Sequence, residues 1–339
     1  MPVIDMHAHV LPGEYPPPGP ATEGWPTMTP AGSEGARLLE FGRTRFTAQA
    51  AFFDASARLA AMDASGTDAE VVSPMPPLLS YRLPAASGRD LARWINEFIG
   101  KLCAVEPARF FGLGTVPMQD PDLAAAELSA IAGAGLAGVE VTSQVNGIYL
   151  GDERFAGFFA EAERLNLCVL VHALPTGLGG MLPPHAMPDF AVGVDAALGA
   201  SSVITSQLPD KCPNLRLAFT HGAGGMPLVL PRAHYFWAGT WNEEPPTPER
   251  GATPGRRPDS PIGYARRYWY DTCVFDRRAI RYLIDMLGPD RLLIGTDFPA
   301  MPRETPCART LRSMHLPPAI IEQITWHNAF RFLGQPPPT

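Results

Sequence analysis

A closed (β/α)₈ barrel is the fold class predicted for this α/β chain, and three observations predict it. Short, near-continuous apolar runs of strand length recur about eight times and alternate with segments of helical periodicity. The 339 residues, 46% of them hydrophobic, suffice for a large core yet stay within the size of one barrel domain. No Gly-x-Gly-x-x-Gly follows the first run, so an open doubly wound sheet lacks its dinucleotide signature. One domain over 1–339 is expected.

The first strand is the apolar run from Val3 to Met6, leading into His7 and His9. Residues 12–53 then form a long Pro- and Gly-rich segment that also carries Trp25, Phe41, Phe46, Phe52 and Phe53, too aromatic for a linker. It reads as an ordered active-site loop over the first strand end, with room for a small hairpin. Asp54 caps a helix closed by Gly66, and Ala69 to Pro74 is the second strand. Ser87 and Asp90 open a helix bearing Leu91, Trp94, Ile95, Phe98 and Leu102. Phe110 to Val116 is the third strand, and Asp120-Pro121 caps an alanine-rich helix that ends near Gly133 and Gly135. Ala137 to Thr142 is the fourth strand, followed by a helix from Arg154 to Asn166.

Leu167 to His172 and Leu215 to His221 are apolar runs that both end in histidine, separated by a Gly/Pro-rich loop (175–188) and a helix (190–207). Tyr268 to Cys273 is the seventh strand, preceded by a surface insertion over 243–261 dense in Pro, Arg and Glu. Arg291 to Asp297 is the eighth, and 317–333 a terminal helix.

Composition excludes several partners. A net charge of -7 and a pI near 5.6 argue against nucleic acid, which needs a basic surface. No run reaches the length of a membrane span, and Asp5, His7 and His9 stand where a signal peptide would be apolar. Cys103, Cys168, Cys212, Cys273 and Cys307 are odd in number and scattered, which suggests neither a disulfide framework nor a zinc knuckle. A soluble cytoplasmic protein acting on a small molecule is expected.

In a barrel, the C-terminal strand ends converge on one mouth. His7, His9, His172, His221 and Asp297 all stand at such ends, using four of the eight histidines. A lone buried histidine is ordinarily a core residue bonded to backbone, but that reading weakens when four converge with a carboxylate. Imidazoles and a carboxylate hold a divalent ion and leave room for water, whose pKa zinc lowers toward neutrality. One histidine beside that water can instead serve as general acid/base, and His221 suits the role because Gly222, Gly224 and Gly225 leave space after it. Asp297 would ligate the metal, orient the water, or do both.

Five stretches in chain order carry a resemblance. They are Ile4-Asp5-Met6-His7-Ala8-His9 with Leu11-Pro12, Arg109 to Gln119, Ala162-Glu163-Arg164-Leu165 leading to Val171-His172, Thr220-His221-Gly222, and Gly295-Thr296-Asp297-Phe298-Pro299. Together they resemble the amidohydrolase-2 branch of the amidohydrolase superfamily, typified by aminocarboxymuconate-semialdehyde decarboxylase. The resemblance implies zinc as the expected ion, with manganese as the alternative. It also implies His7, His9, His172 and Asp297 as ligands, His221 as acid/base, and a homodimer.

The chain departs from that pattern in places. The resemblance implies a substrate-binding arginine in the first loop, where Phe46 stands with Arg45 one residue earlier. Phenylalanine cannot clasp a carboxylate as a guanidinium does, so either Arg45 reaches in after a small backbone shift or the substrate's carboxylate is elsewhere or missing. Arg232 matches an arginine donated across a dimer interface, whereas Thr240 replaces a second. Both losses point to a less anionic ligand, against which Phe46, Phe52, Phe53 and Phe190 would form an aromatic wall unless they simply pack the loop. His185 would approach the site, while His234, His315 and His327 are ordinary helix or surface residues. The expected activity is metal-dependent, non-oxidative decarboxylation of an aromatic or unsaturated carboxylic acid. Its alternative is hydrolysis of an amide, lactone or activated C–C bond at the same site. A binding protein without chemistry would have lost at least one of the five polar residues, and none is missing.

Overall fold

The computed structural model describes residues 1–17, 24–32, 35–42, 44–79, 81–175, 178, 180–240 and 259–338. Eight strands form one sheet in chain order: β1 (Ile4–Val10), β2 (Ala69–Pro74), β3 (Phe110–Gly114), β4 (Gly138–Thr142), β5 (Cys168–His172), β6 (Leu217–Phe219), β7 (Trp269–Asp271) and β8 (Leu292–Leu293). Every neighbouring pair is parallel. The segment after β8 closes the ring on β1: Met6 N donates to Ile294 O (2.7 Å), Asp297 N to His7 O (2.8 Å) and His9 N to Phe298 O (2.7 Å). The expected barrel is present.

Alternation along the strands sorts the core into two shells. Ile4, Met6, Ala69, Val71, Leu113, Leu170, Ala218 and Leu293 fill the barrel, plugged by Phe330, Phe332 and Leu333 of the last helix, α8 (Asn328–Leu333). Val72, Val139, Val141, Val169 and Phe219 face outward and pack on a ring of helices. These are α1 (Ala55–Ser65), α2 (Ala85–Val105), α3 (Pro121–Gly133), α4 (Ala156–Arg164), α5 (Val192–Thr205), α6 (Met226–Ala238) and α7 (Arg277–Leu287). On α2, Leu91, Ile95, Ile99 and Leu102 are buried at helical spacing, each stabilising by about 1.5–3 kcal/mol. Three expected caps are present: Asp54 accepts from Ala57 N, Gly66 turns left-handed at φ 62°, and Asp120 with Pro121 opens α3. Helix α2, expected to open at Ser87 and Asp90, starts earlier, at Ala85 after Pro84.

The first loop holds more than one hairpin. Thr27–Pro30, Arg37–Phe41 and Thr44–Ala48 make a three-stranded antiparallel sheet. Several expected boundaries are corrected. The helix expected from Arg154 starts as a 3₁₀ turn, and the one expected from Phe190 as a π turn over Met187–Ala191. The tail expected as one helix is two, joined by a π turn over Gln323–His327. The sixth and eighth strands stop short of His221 and Asp297, and both residues take positive φ, 53° and 61°. The insertion expected over 243–261 lies outside the described residues up to 258; beyond it, Ser260 caps a short helix, Pro261–Ala265.

One irregularity positions everything that follows. Asp5 pairs with Glu70 and Ala8 with Val72, so β1 has one more residue than β2 over the same span. Such a bulge breaks the two-residue period. Asp5 therefore faces the helix layer, where Arg303 meets it at 3.2 Å, while His7 and His9 face into the barrel. No helix among the described residues is long and apolar enough to cross a membrane.

Candidate metal centre

His172 is the last residue of β5, His221 sits two residues past β6, and Asp297 follows β8. The rings of His7, His9, His172 and His221 gather with neighbouring centroids 4.9–5.1 Å apart. His9 Nε2 lies 3.1 Å from both His7 Nε2 and Asp297 Oδ1, and His7 Nε2 is 3.7 Å from Asp297 Oδ1. One donor atom each from His7, His172, His221 and Asp297 falls within 4.8 Å of the others. The turn that presents His221 needs Gly222 at φ 57°, where a Cβ would come within 2.8 Å of Val274 Cγ1. All five residues singled out from the sequence meet at one place.

The outer nitrogens show how the rings are held. His7 Nδ1 is 2.6 Å from Asp271 Oδ2, His172 Nδ1 is 2.6 Å from Ala173 O, and His9 Nδ1 is 3.1 Å from Pro74 O. A carbonyl or carboxylate can only accept, so in each neutral ring Nδ1 carries the hydrogen and Nε2 keeps its lone pair. Those Nε2 lone pairs converge. His172 Nε2 and His221 Nε2 are buried without a hydrogen-bond partner among the described residues. Leaving such buried nitrogens unpaired costs free energy; a divalent cation would satisfy the lone pair of His172, and a bound water or substrate beside it the nitrogen of His221. The donor set fits a metal ion.

Charge within the cluster is strongly redistributed. Burial opposes protonation of His7, but hydrogen bonds to Asp271 and Cys273 and the Asp297 charge outweigh it and hold its imidazole well above the usual value. Burial, aided by the other histidines, drives His172 well below it. Burial and the His7 charge push His221 down to about 4. Asp297 is desolvated too, yet its hydrogen bond to His9 and the surrounding imidazoles keep its carboxyl far below the usual range. Glu140 on β4, 3.7 Å from His9 Nδ1, is pushed up by burial, and neither of its oxygens has a hydrogen-bond partner among the described residues.

The residues expected to contact substrate fare differently. Phe46 and Arg45 are neighbours on one strand and so face opposite sides. Phe46 is half-buried against Phe52 (5.7 Å), while Arg45 is 70% exposed and pairs with Glu40 at 3.3 Å. Strand alternation thus sets Arg45 on the side opposite Phe46. Phe52 belongs to the core, Phe53 carries the Arg37 guanidinium at 5.2 Å, and Phe190 is 65% exposed. Loop packing explains Phe52 and Phe53 without an aromatic wall. Arg232 is exposed and lies over the Phe236 ring at 5.0 Å. His185, His315 and His327 are exposed, and His234 is half-buried beside Trp237. Sequence reasoning passed over Asp271, although it closes its apolar strand as Asp297 closes the next.

Fold and centre now have a family. The chain belongs to the amidohydrolase family, whose model matches residues 4–335. It is 28% identical over 341 residues to 2-amino-3-carboxymuconate-6-semialdehyde decarboxylase of Dictyostelium discoideum, covering 98% of this chain and 92% of the relative. Among solved structures, 5-carboxyvanillate decarboxylase from Sphingomonas paucimobilis is 27% identical, with a TM-score of 0.73 over 83% of each chain. A dihydroxybenzoic acid decarboxylase from a Polaromonas strain, with bound manganese and the inhibitor 2-nitroresorcinol, is 26% identical. Its TM-score is 0.70 over 82% of this chain and 85% of that one.

Proposed function

We propose that the protein is a metal-dependent, non-oxidative decarboxylase of an aromatic or unsaturated carboxylic acid. One observation carries the reading: four imidazoles and a carboxylate converge with the Nε2 atoms of His172 and His221 left unpartnered. Decarboxylases among the relatives, acting on substrates of this kind, support it.

His7, His9, His172 and Asp297 would hold the ion, with Asp271 fixing the tautomer of His7. A bound divalent ion supplies Lewis acidity to substrate oxygens. Burial holds His221 well below the usual imidazole value and leaves it neutral near pH 7, so it would not store a proton but relay one delivered by the substrate's acidic group or by solvent. The bond between the carboxyl group and its carbon breaks and carbon dioxide leaves. The electron pair left on that carbon takes the proton that His221 relays from the substrate's acidic group or from solvent. Zinc suits three imidazoles and a carboxylate, and manganese, bound in the Polaromonas relative, is the alternative.

A homodimer extends the proposal. Phe190, Val194 and Leu198 recur every fourth residue, and Leu228, Val229 and Phe236 lie on α6, which packs beside α5; all six are exposed. A second copy would cover this face and bring Arg232 with it. The five free cysteines agree with a cytoplasmic setting.

The test is metal content of purified wild type beside Asp297→Ala and His172→Ala, followed by carbon dioxide release from a panel of hydroxybenzoates and unsaturated acids. About one ion per chain, lost in the variants, with release from at least one acid is expected. A reconstituted wild type that stays metal-free would overturn the reading. Oxygen-18 incorporated from water without carbon dioxide would favour hydrolysis instead.

A further inference from the structure

Asp297 must be held still just past the regular part of β8. That strand stops at Leu293, and Asp297 sits at φ 61° in a segment joined to β1 by single backbone bonds such as Asp297 N to His7 O and His9 N to Phe298 O. Two buried arginines reinforce those few backbone bonds. The Arg303 guanidinium lies 4.1 Å over the ring of Phe298, the residue after Asp297, and Arg58 of α1 approaches the same ring at 5.5 Å. We propose that Phe298, against whose ring both Arg303 and Arg58 lie, is a positioning residue that fixes Asp297 and His9 for metal binding. The inference rests on the metal centre proposed above.

Each arginine is tied on one side to the ring and on the other to the ligand-bearing strand. Arg58 Nη1 donates to His9 O at 2.7 Å and to Ala51 O at 3.0 Å, and its Nε pairs with Glu70. Arg303 pairs with Asp5 (3.2 Å) and with Glu70, and reaches Ser65 and Thr67. Asp5 in turn accepts from Thr296 N at 3.1 Å and His7 N at 3.2 Å, and from the Thr296 hydroxyl. Phe298 O closes the circuit by accepting from His9 N at 2.7 Å. Arg303 Nε and Arg58 Nη2 are buried with no acceptor among the described residues. The ring face is the electron-rich surface that meets these guanidinium groups. A chain of contacts thus runs from the helix layer, through the barrel wall, to three candidate ligands.

A simpler role would be holding the fold together, and the two roles separate by experiment. Phe298→Leu keeps an apolar side chain and every ion pair but removes the π face. Arg303→Lys keeps the charge but not the plane. For the full-length protein, the dissociation constant for Co²⁺ by chelator competition, the visible spectrum of the Co²⁺ form and the melting temperature of the metal-free form are measured. Phe298→Leu should weaken Co²⁺ binding about 10- to 100-fold and shift the spectrum, with metal-free melting close to wild type. Arg303→Lys should act in the same direction. Co²⁺ affinity and spectrum unchanged in both variants would overturn the clamp. A loss of metal-free stability that accounts for all the lost affinity would overturn it too. Wild type that binds no Co²⁺ would overturn the metal reading itself, and the clamp with it.

Discussion

Asp271→Asn probes the centre through a residue that reaches it by way of His7. The carboxylate is 2% exposed and uses both oxygens: Oδ2 meets His7 Nδ1 at 2.6 Å, and Oδ1 accepts from Gly222 N (2.9 Å) and Cys273 N (3.1 Å). Asparagine offers a single oxygen where two are needed. With the amide oxygen toward His7, the NH₂ confronts two backbone donors. With the amide turned round, it donates to His7 Nδ1, so the hydrogen moves to Nε2 and the lone pair meant for the metal disappears. Either orientation loses a hydrogen bond to a charged group, on the order of 1.5–3 kcal/mol. At 1.4 kcal/mol per decade that is about 10- to 100-fold in metal affinity. Chelator competition against wild type reads this directly, and excess metal should restore part of the activity. Unchanged affinity would refute the argument that Asp271 sets the His7 tautomer.

Three other substitutions test neighbouring links. Gly295→Ala places a methyl 2.7 Å from Asp271 Cβ and Oδ2, so it should reproduce the Asp271→Asn loss of metal affinity; wild-type affinity would show that Asp271 can yield. His221→Gln should retain most of the metal while carbon dioxide release falls about 10²- to 10⁴-fold; full activity would remove His221 from the chemistry. Glu70 is desolvated, but Arg58 and Arg303 outweigh burial and lower its pKa. Its stabilising contribution is therefore present above the ordinary glutamate value and fades as pH falls through the depressed one. Glu70→Gln should cost about 3–5 kcal/mol at neutral pH and flatten the loss of melting temperature on acidification. A variant with the wild-type acid slope would refute that assignment.

The barrel and the centre were legible for the same reason. A buried parallel strand writes itself as an apolar run, and a polar residue at its end must point to the mouth; His172, His221 and Asp297 are each such an ending. Asp271 obeys the same rule, yet an aspartate on a strand lacks the chemical distinctiveness of a histidine. The bulge in β1 had no signal, because one extra residue between Asp5 and Ala8 changes pairing without changing composition. Arg45 looked available to the site because adjacency in sequence hides which face of a strand a residue takes. The grip on Phe298 draws on Arg58, Glu70 and Arg303, a span that no local pattern connects.

The bulge also lets β1 carry two circuits on opposite sides of one wall. Asp5 belongs to a charge network among the helices, and His7, two residues on, belongs to the mouth of the barrel. The network reaches His7 and His9 through their backbone, His7 N on Asp5 and His9 O on Arg58, so a side chain can be exchanged at either position without removing the contacts that brace the strand. The arrangement tolerates changes of residue far better than changes of length. Removing one residue between Asp5 and Ala8 would reverse the parity of everything before it, turning the Asp5 carboxylate into the barrel and stranding Arg303 and Arg58 behind it. Substitution is the open route by which such a strand diversifies, and deletion the closed one.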